Sequence, residues 1–296
     1  MGKRWFLFAI VNILILVTIS ITFHLLGIRP YLNARGIDYT ALMVFCFIWG
    51  IGGAFISLAL SRIMAKWMMG VQVIDPDTRE PELAWLVETV RNLAKAANLP
   101  KMPEVGYYPS SEVNAFATGP TKSRALVAVS AGLLGSLERR QVEGVLGHEI
   151  AHIANGDMVT MTLVQGVINA FVMFLARVIA FFVVRSSSDR EGSPMTRWLV
   201  TFALEIVLSI FGTIVVAAFS RRREFRADAG GAQLAGREKM INALEGLKRT
   251  VRHADLTHNA SLATLKISGK PKSALFALFA THPPLDTRIE RLKQII

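Results

Sequence analysis

The chain carries one cysteine, Cys46, in 296 residues, which excludes a disulfide framework and any zinc site built on thiolates. It has no internal repeat, no phosphate-binding glycine loop and no low-complexity tract. Acidic residues are few, 22 against 33 lysines and arginines, for a net charge of +11. Charge of either sign is nearly missing from four blocks. These run from Trp5 to about Ile28, from about Tyr39 to Leu60, from Met158 to Val184 with only Arg177 inside, and from Trp198 to Phe219 with only Glu205 inside. Each is long enough to cross ~30 Å of hydrocarbon as a helix. The blocks concentrate a hydrophobic content of 52% and a mean hydropathy of +0.41, both high for a soluble chain.

The basic excess does not point to nucleic acid. Lys3-Arg4, Arg62 with Lys66, and Arg221-Arg222-Arg223 flank the apolar blocks, as helix ends do when they face the cytoplasm and anionic headgroups. The first block outlasts a signal-peptide core and ends in Gly27-Ile28-Arg29-Pro30, with no small-residue cleavage site, so a retained anchor is expected. A charge inside a span is costly unless paired. Arg177 and Glu205 are equidistant from position 191, so an antiparallel hairpin of the last two blocks brings them to one depth as an ion pair.

What the chain does contain is Gly147-His148-Glu149-Ile150-Ala151-His152. The run from Arg139 to Ala154 lacks proline, spaces Val142, Val145, Leu146 and Ile150 as a helix does, and stops at Asn155-Gly156. On that helix His148 and His152 lie one above the other and can both face one metal ion, with Glu149 a step round. Two histidines supply two of the three protein ligands of a hydrolytic zinc site, and the adjacent carboxylate can take a proton from water. The same residues also occur by chance as an inert, hydrogen-bonded pair, and the helical setting weighs against that.

Along the rest of the chain, Pro81 opens a helix with Leu83, Leu86, Val87, Val90 and Leu93 as its buried stripe, closing at Asn98-Leu99-Pro100. Three strand-like runs follow, Val105 to Tyr108, Asn114 to Thr118 and Ala125 to Ser130, and predict a small antiparallel sheet. Asn114-Ala115-Phe116 either forms an edge that takes an extended peptide or only builds a hairpin. The third metal ligand lies elsewhere, because the metzincin continuation is absent: position 155 is Asn155 and position 158 is Met158. Glu224 and Asp228 share a helix face, so one can bind the metal while the other holds a histidine's second nitrogen. The competing reading of Glu224 is a surface ion pair among its arginines. His152 and Glu224 both stand roughly 10 Å from an apolar block, and they can share a metal if the intervening blocks return the chain to one side. Gly230-Gly231-Ala232 permits close helix contact, Lys239 to Arg252 reads as a helix, and Asp255 to Lys272 reads as a loop. His282 opens a last helix faced by Leu285, Ile289, Leu292 and Ile296; it serves either as a donor near the site or as a capping residue.

The four apolar blocks together with GHEIAHIANGD, SRRREFRAD, NAFATG and THPPLDTRIERL resemble the HtpX heat-shock protease family, bacterial membrane zinc endopeptidases related to the CAAX prenyl proteases. The resemblance covers essentially the whole chain. It implies a mainly α membrane protein, with four apolar helices and a cytoplasmic α+β gluzincin-like protease domain carrying a small antiparallel sheet. The expected parts are an N-terminal transmembrane hairpin over 1–66, a first protease segment over 67–157, a second hairpin over 158–219 and a second protease segment over 220–296. The resemblance further implies one Zn2+ per chain, held by His148, His152 and Glu224, with Glu149 as catalytic base and Asn114 and Ala115 pairing with substrate backbone. Its implied partners are the bilayer of the bacterial inner membrane and protein substrates, chiefly damaged or unassembled membrane proteins; nucleic acid is not among them, and homo-oligomerisation is left open. The alternatives are a membrane adapter or holdase with a structural zinc, for which Glu149 has no use, and a prenyl-protein protease, for which four spans build too small a chamber.

Overall fold

The computed structural model describes residues 32–33, 36–186, 193–256 and 278–294. The first apolar block lies outside the described residues, as do position 191 and most of the loop expected over Asp255 to Lys272. The chain starts with a short antiparallel pair, β1 (Leu32–Asn33) and β2 (Gly36–Ile37), and enters α1 (Tyr39–Phe47), capped where Asp38 accepts from Ala41 N at 3.0 Å. A π-helical turn, Ile48–Gly52, leads directly into α2 (Gly53–Met68). Then come β3 (Gln72–Val73), α3 (Pro81–Ala96), β4 (Glu104–Tyr108), β5 (Ala115–Thr118), β6 (Leu126–Ser130), α4 (Ala131–Ser136) and α5 (Arg139–Asn155). The long α6 (Asp157–Ser186) and α7 (Pro194–Ala235), then α8 (Arg237–Leu256) and α9 (Leu285–Gln294), complete the order.

Among the described residues three helices are long and apolar enough to cross a membrane: Tyr39–Met68, Asp157–Arg185 and Pro194–Ala235. The last carries 42 residues because the fourth apolar block continues without a break into the segment bearing Glu224.

The chain divides into two compact units. The first takes residues 1–57 and 161–216. Within it small residues let helices touch, as membrane helices do in the absence of a hydrophobic drive between them. A Cβ on Gly50 would stand 2.7 Å from the Cβ of Ala170, so only glycine fits there. Arg177 Nη1 donates to Glu205 Oε1 at 2.6 Å and to the Met173 carbonyl at 3.0 Å, giving the ion pair that the sequence predicts. Cys46 is buried.

The second unit takes residues 58–160 and 217–296. Its sheet has the order β3-β4-β6-β5. The expectation of an antiparallel sheet is corrected here: β3 pairs antiparallel with β4 and β5 antiparallel with β6, but β4 and β6 run parallel, with Val105 opposite Val127. Successive strands do reverse direction. However, β5 is laid down one place beyond β4, and β6 returns into the gap between them. β6 is therefore central, and Leu126 to Ser130 are buried throughout, as a continuous apolar run demands. One face, with Val127 and Val129, packs on Leu86, Val90, Leu146 and Ile150 of α3 and α5. The other, with Leu126 and Ala128, packs on Ala65 and Val71. β5 stands at the sheet edge beside α5.

Candidate metal centre

Helix α5 is delimited by its sequence at both ends. Glu138 and Gln141 form a capping box at its start, and Gly156, at φ 69°, closes it in the left-handed conformation that glycine adopts without strain. Within it His148 and His152 are both buried, their rings meeting edge-on with centroids 4.5 Å apart. Helix α7 lies close against α5 because Gly231 has no side chain: a Cβ there would come within 2.9 Å of the His148 backbone nitrogen. That approach delivers Glu224, which is fully buried. Its Oε2 lies 3.4 Å from His148 Nε2 and its Oε1 3.3 Å from His152 Nε2. The reading of Glu224 as a surface ion pair fails on its burial.

Each imidazole is held from behind. His148 Nδ1 lies 3.0 Å from Asp228 Oδ1, and His152 Nδ1 lies 2.7 Å from Asp157 Oδ2. A carboxylate at Nδ1 keeps the ring proton there and turns the Nε2 lone pair toward the partner ring and Glu224. The ligand atoms of His148, His152 and Glu224 all lie within 4.8 Å of one another, and the two Nε2 atoms are 3.0 Å apart. Two imidazole nitrogens and a carboxylate, converging in a buried space, make a donor set suited to zinc.

The carboxylates are themselves restrained. Arg288, buried on α9, grips Asp228 with Nε at 2.8 Å and Nη2 at 2.5 Å, while Arg226 Nη2 reaches Asp157 at 2.9 Å. His282 Nδ1 contacts Glu224 Oε2 at 2.6 Å. Burial alone would pull the His148 pKa down, but the hydrogen bonds to Asp228 and Glu224 outweigh it and carry it up to about 9. Burial pushes Glu224 up, and the three histidines around it hold it well below the ordinary carboxylate range instead.

A cavity of about 290 Å³ opens on this centre. Glu149 lines it, as do Asn114, Ala115, Phe116 and the apolar Met240 and Val251. Among the described residues Glu149 has no hydrogen-bond or ion-pair partner, which leaves its carboxylate free for chemistry. The backbone at Asn114 is fixed by Ser130, whose Oγ accepts from Asn114 N at 3.1 Å and whose N donates to Asn114 O at 3.0 Å. The structure thus gathers His148, His152, Glu224, Glu149, Asn114 and Ala115 around one cavity.

Three residues escape the sequence reading: Asp157, Arg226 and Arg288. Arg288 had left a signal, since it falls on the stripe of Leu285, Ile289 and Leu292, where an arginine has to be paired.

Comparison with known proteins agrees with this geometry. A sequence model of peptidase family M48 matches residues 80–296. A protease HtpX homolog of Bacillus pumilus (strain SAFR-032) is 50% identical over 300 residues, covering 99% of both chains. Another from Methylacidiphilum infernorum (isolate V4) is 51% identical over 301 residues, covering 100% of this chain and 99% of its own. The crystal structure of S. mikatae Ste24p superposes with a TM-score of 0.63 at 18% identity, covering 99% of this chain and 67% of that one, which speaks to the fold alone. The chain belongs to peptidase family M48, and within it to the HtpX-type membrane metalloproteases.

Proposed function

We propose that this protein is a zinc-dependent endopeptidase of the bacterial inner membrane that cuts damaged or unassembled membrane proteins at the cytoplasmic face. The observation that carries the reading is the carboxylate of Glu149, unpartnered among the described residues, in one cavity with the His148, His152 and Glu224 donor set and the edge strand β5. The HExxH motif plus Glu224 makes the site gluzincin-like. Zinc held by these three residues supplies Lewis acidity toward a carbonyl and lowers the pKa of a water. The chain's own residues do the remaining work. Asn114 immediately precedes β5 and Ala115 begins it, and the outer edge of this strand can hydrogen-bond an extended peptide and hold its scissile amide over Glu149. Glu149 takes a proton from the attacking water and returns it to the departing amine, so no covalent enzyme intermediate is required. Asp157 and Asp228 keep both imidazoles in the binding tautomer.

A structural-zinc adapter has no use for a free Glu149 in the cavity. The decisive variant is Glu149→Gln, which keeps all three ligands. Zinc content near that of the parent, with peptide cleavage abolished, is expected. Cleavage near the parental rate in protein of verified zinc content would sink the assignment. His148→Ala, His152→Ala and Glu224→Ala are expected to lose zinc itself.

A further inference from the structure

A second cavity, of about 350 Å³, shares Arg288 with the first and is lined by Asp228 as well. Four arginines line it, Arg222 and Arg226 from α7 and Arg288 and Arg291 from α9, against one acid, Asp228. Arg288 already neutralises that acid with two hydrogen bonds. Arg226 spends one nitrogen on Asp157, and its side chain remains 59% exposed. Arg222 and Arg291 are exposed, and Arg291 stands over the Phe225 ring at 4.5 Å, which holds its guanidinium at the rim. Arg222 and Arg226 are four apart on one helix, where like charges repel unless an anion sits between them. Planar guanidinium forks converging on a small space are the arrangement that binds phosphate oxygens.

The position on α7 says where such a phosphate comes from. Arg222 follows Phe219, the last residue of the apolar block, by three positions on an unbroken helix, so it stands roughly 5 Å past the apolar segment, at headgroup depth. We propose that this cavity binds the phosphate of an anionic phospholipid headgroup. Two of its arginines lead straight to the metal centre, Arg226 through Asp157 to His152 and Arg288 through Asp228 to His148. A headgroup held there steadies both imidazoles from behind, so the bilayer's anionic lipid stabilises the site.

The test uses the full-length protein in nanodiscs of phosphatidylcholine, with or without a phosphatidylglycerol fraction, and reads thermal unfolding and the half-life of zinc loss to a chelator. Neither reading depends on proteolysis. Phosphatidylglycerol is expected to raise Tm by several degrees and to lengthen the half-life. The R222Q/R291Q variant is expected to lose most of both effects while matching the parent in pure phosphatidylcholine, since neither side chain is buried and the choline cation beside that lipid's phosphate is repelled by the arginines. R79Q/K101Q, which removes two exposed charges elsewhere in the same unit, is expected to keep them. Equal loss in the two double variants, or no loss in R222Q/R291Q, overturns the proposal. Inorganic phosphate in phosphatidylcholine discs, compared with chloride at equal ionic strength, separates the sources: an equal gain there that R222Q/R291Q abolishes makes the ligand a free ion and overturns the lipid assignment.

Discussion

Asp157 is buried in full, and its two oxygens serve different masters, one turned to His152 Nδ1 and the other to Arg226. Removing its charge while keeping its shape isolates what it does for the metal ligand. Asp157→Asn is expected to weaken zinc affinity about 10- to 100-fold, as carboxylates behind metal-bound imidazoles do elsewhere. Competition with a calibrated chelator measures it, and unchanged affinity would leave Asp157 as no more than the first residue of α6. At this scale the sequence was readable where chemistry is packed into a few neighbouring positions. His148, Glu149 and His152 announce themselves, and Glu224 with Asp228 could be narrowed to two roles; the structure puts Glu224 beside both Nε2 atoms and Asp228 behind His148 Nδ1. Asp157 and Arg288 could not be placed, because a carboxylate or guanidinium acquires its role only from the partner the fold brings to it.

Helices and strands set how closely those partners approach. Gly231 lets α7 touch the backbone of His148, so Gly231→Ala forces the two helices apart by a few tenths of an ångström or more. A cost of about 1–3 kcal/mol is expected from such overpacking, together with reduced zinc content. Thermal unfolding and metal analysis of purified protein check it, and a fully stable, zinc-replete variant would mean that α5 and α7 can slide. A second contact ties the end of α2 to the sheet, where Arg62 and Lys66 both reach Glu104 at the start of β4. Burial pushes the Glu104 pKa up, but its bonds to Lys66 and Arg62 outweigh this and leave it below the ordinary 4.5. A depressed folded-state pKa gives stability that is present above the unfolded value and fades as pH falls through the folded one. Glu104→Gln should therefore lower Tm by a constant amount at neutral pH, with the difference closing only in acid below about 4.5. The effect is modest, because the pair is partly exposed. Element boundaries were legible from Pro81, Asn155-Gly156 and the apolar spacing. The order of strands was not, since the side-chain pattern of β6 records burial on both faces but not which neighbour lies on either side.

At the scale of the whole chain, the protease unit is interrupted by an excursion: the chain leaves it at Thr160 and re-enters at Ala217. Both ends of the excursion belong to one compact unit, which also holds His152 and Glu224, so the two apolar helices between them have to be traversed as a pair. Arg177 and Glu205, joined inside the other unit at 2.6 Å, fix the register of that pair. An intramembrane arginine without its carboxylate costs several kcal/mol, so Glu205→Ala is expected to destabilise the protein, and restoring opposite charges with Arg177→Glu and Glu205→Arg together to recover part of the loss. The proposed cytoplasmic placement of the protease unit rests on the basic residues at Arg62, Lys66 and Arg221 to Arg223. Single cysteines in a Cys46→Ser background test this. Thr121 and Ser193 are both exposed, Thr121 in the protease unit and Ser193 at the start of α7. An impermeant thiol reagent added to intact cells is expected to label a cysteine at position 193 and to spare one at 121, which should react only in inverted vesicles. Labelling of both solely in inverted vesicles would place the start of α7 on the cytoplasmic side and make α6 and α7 lie on the membrane rather than cross it. The zinc site would survive that result, because its ligands are all held within the protease unit.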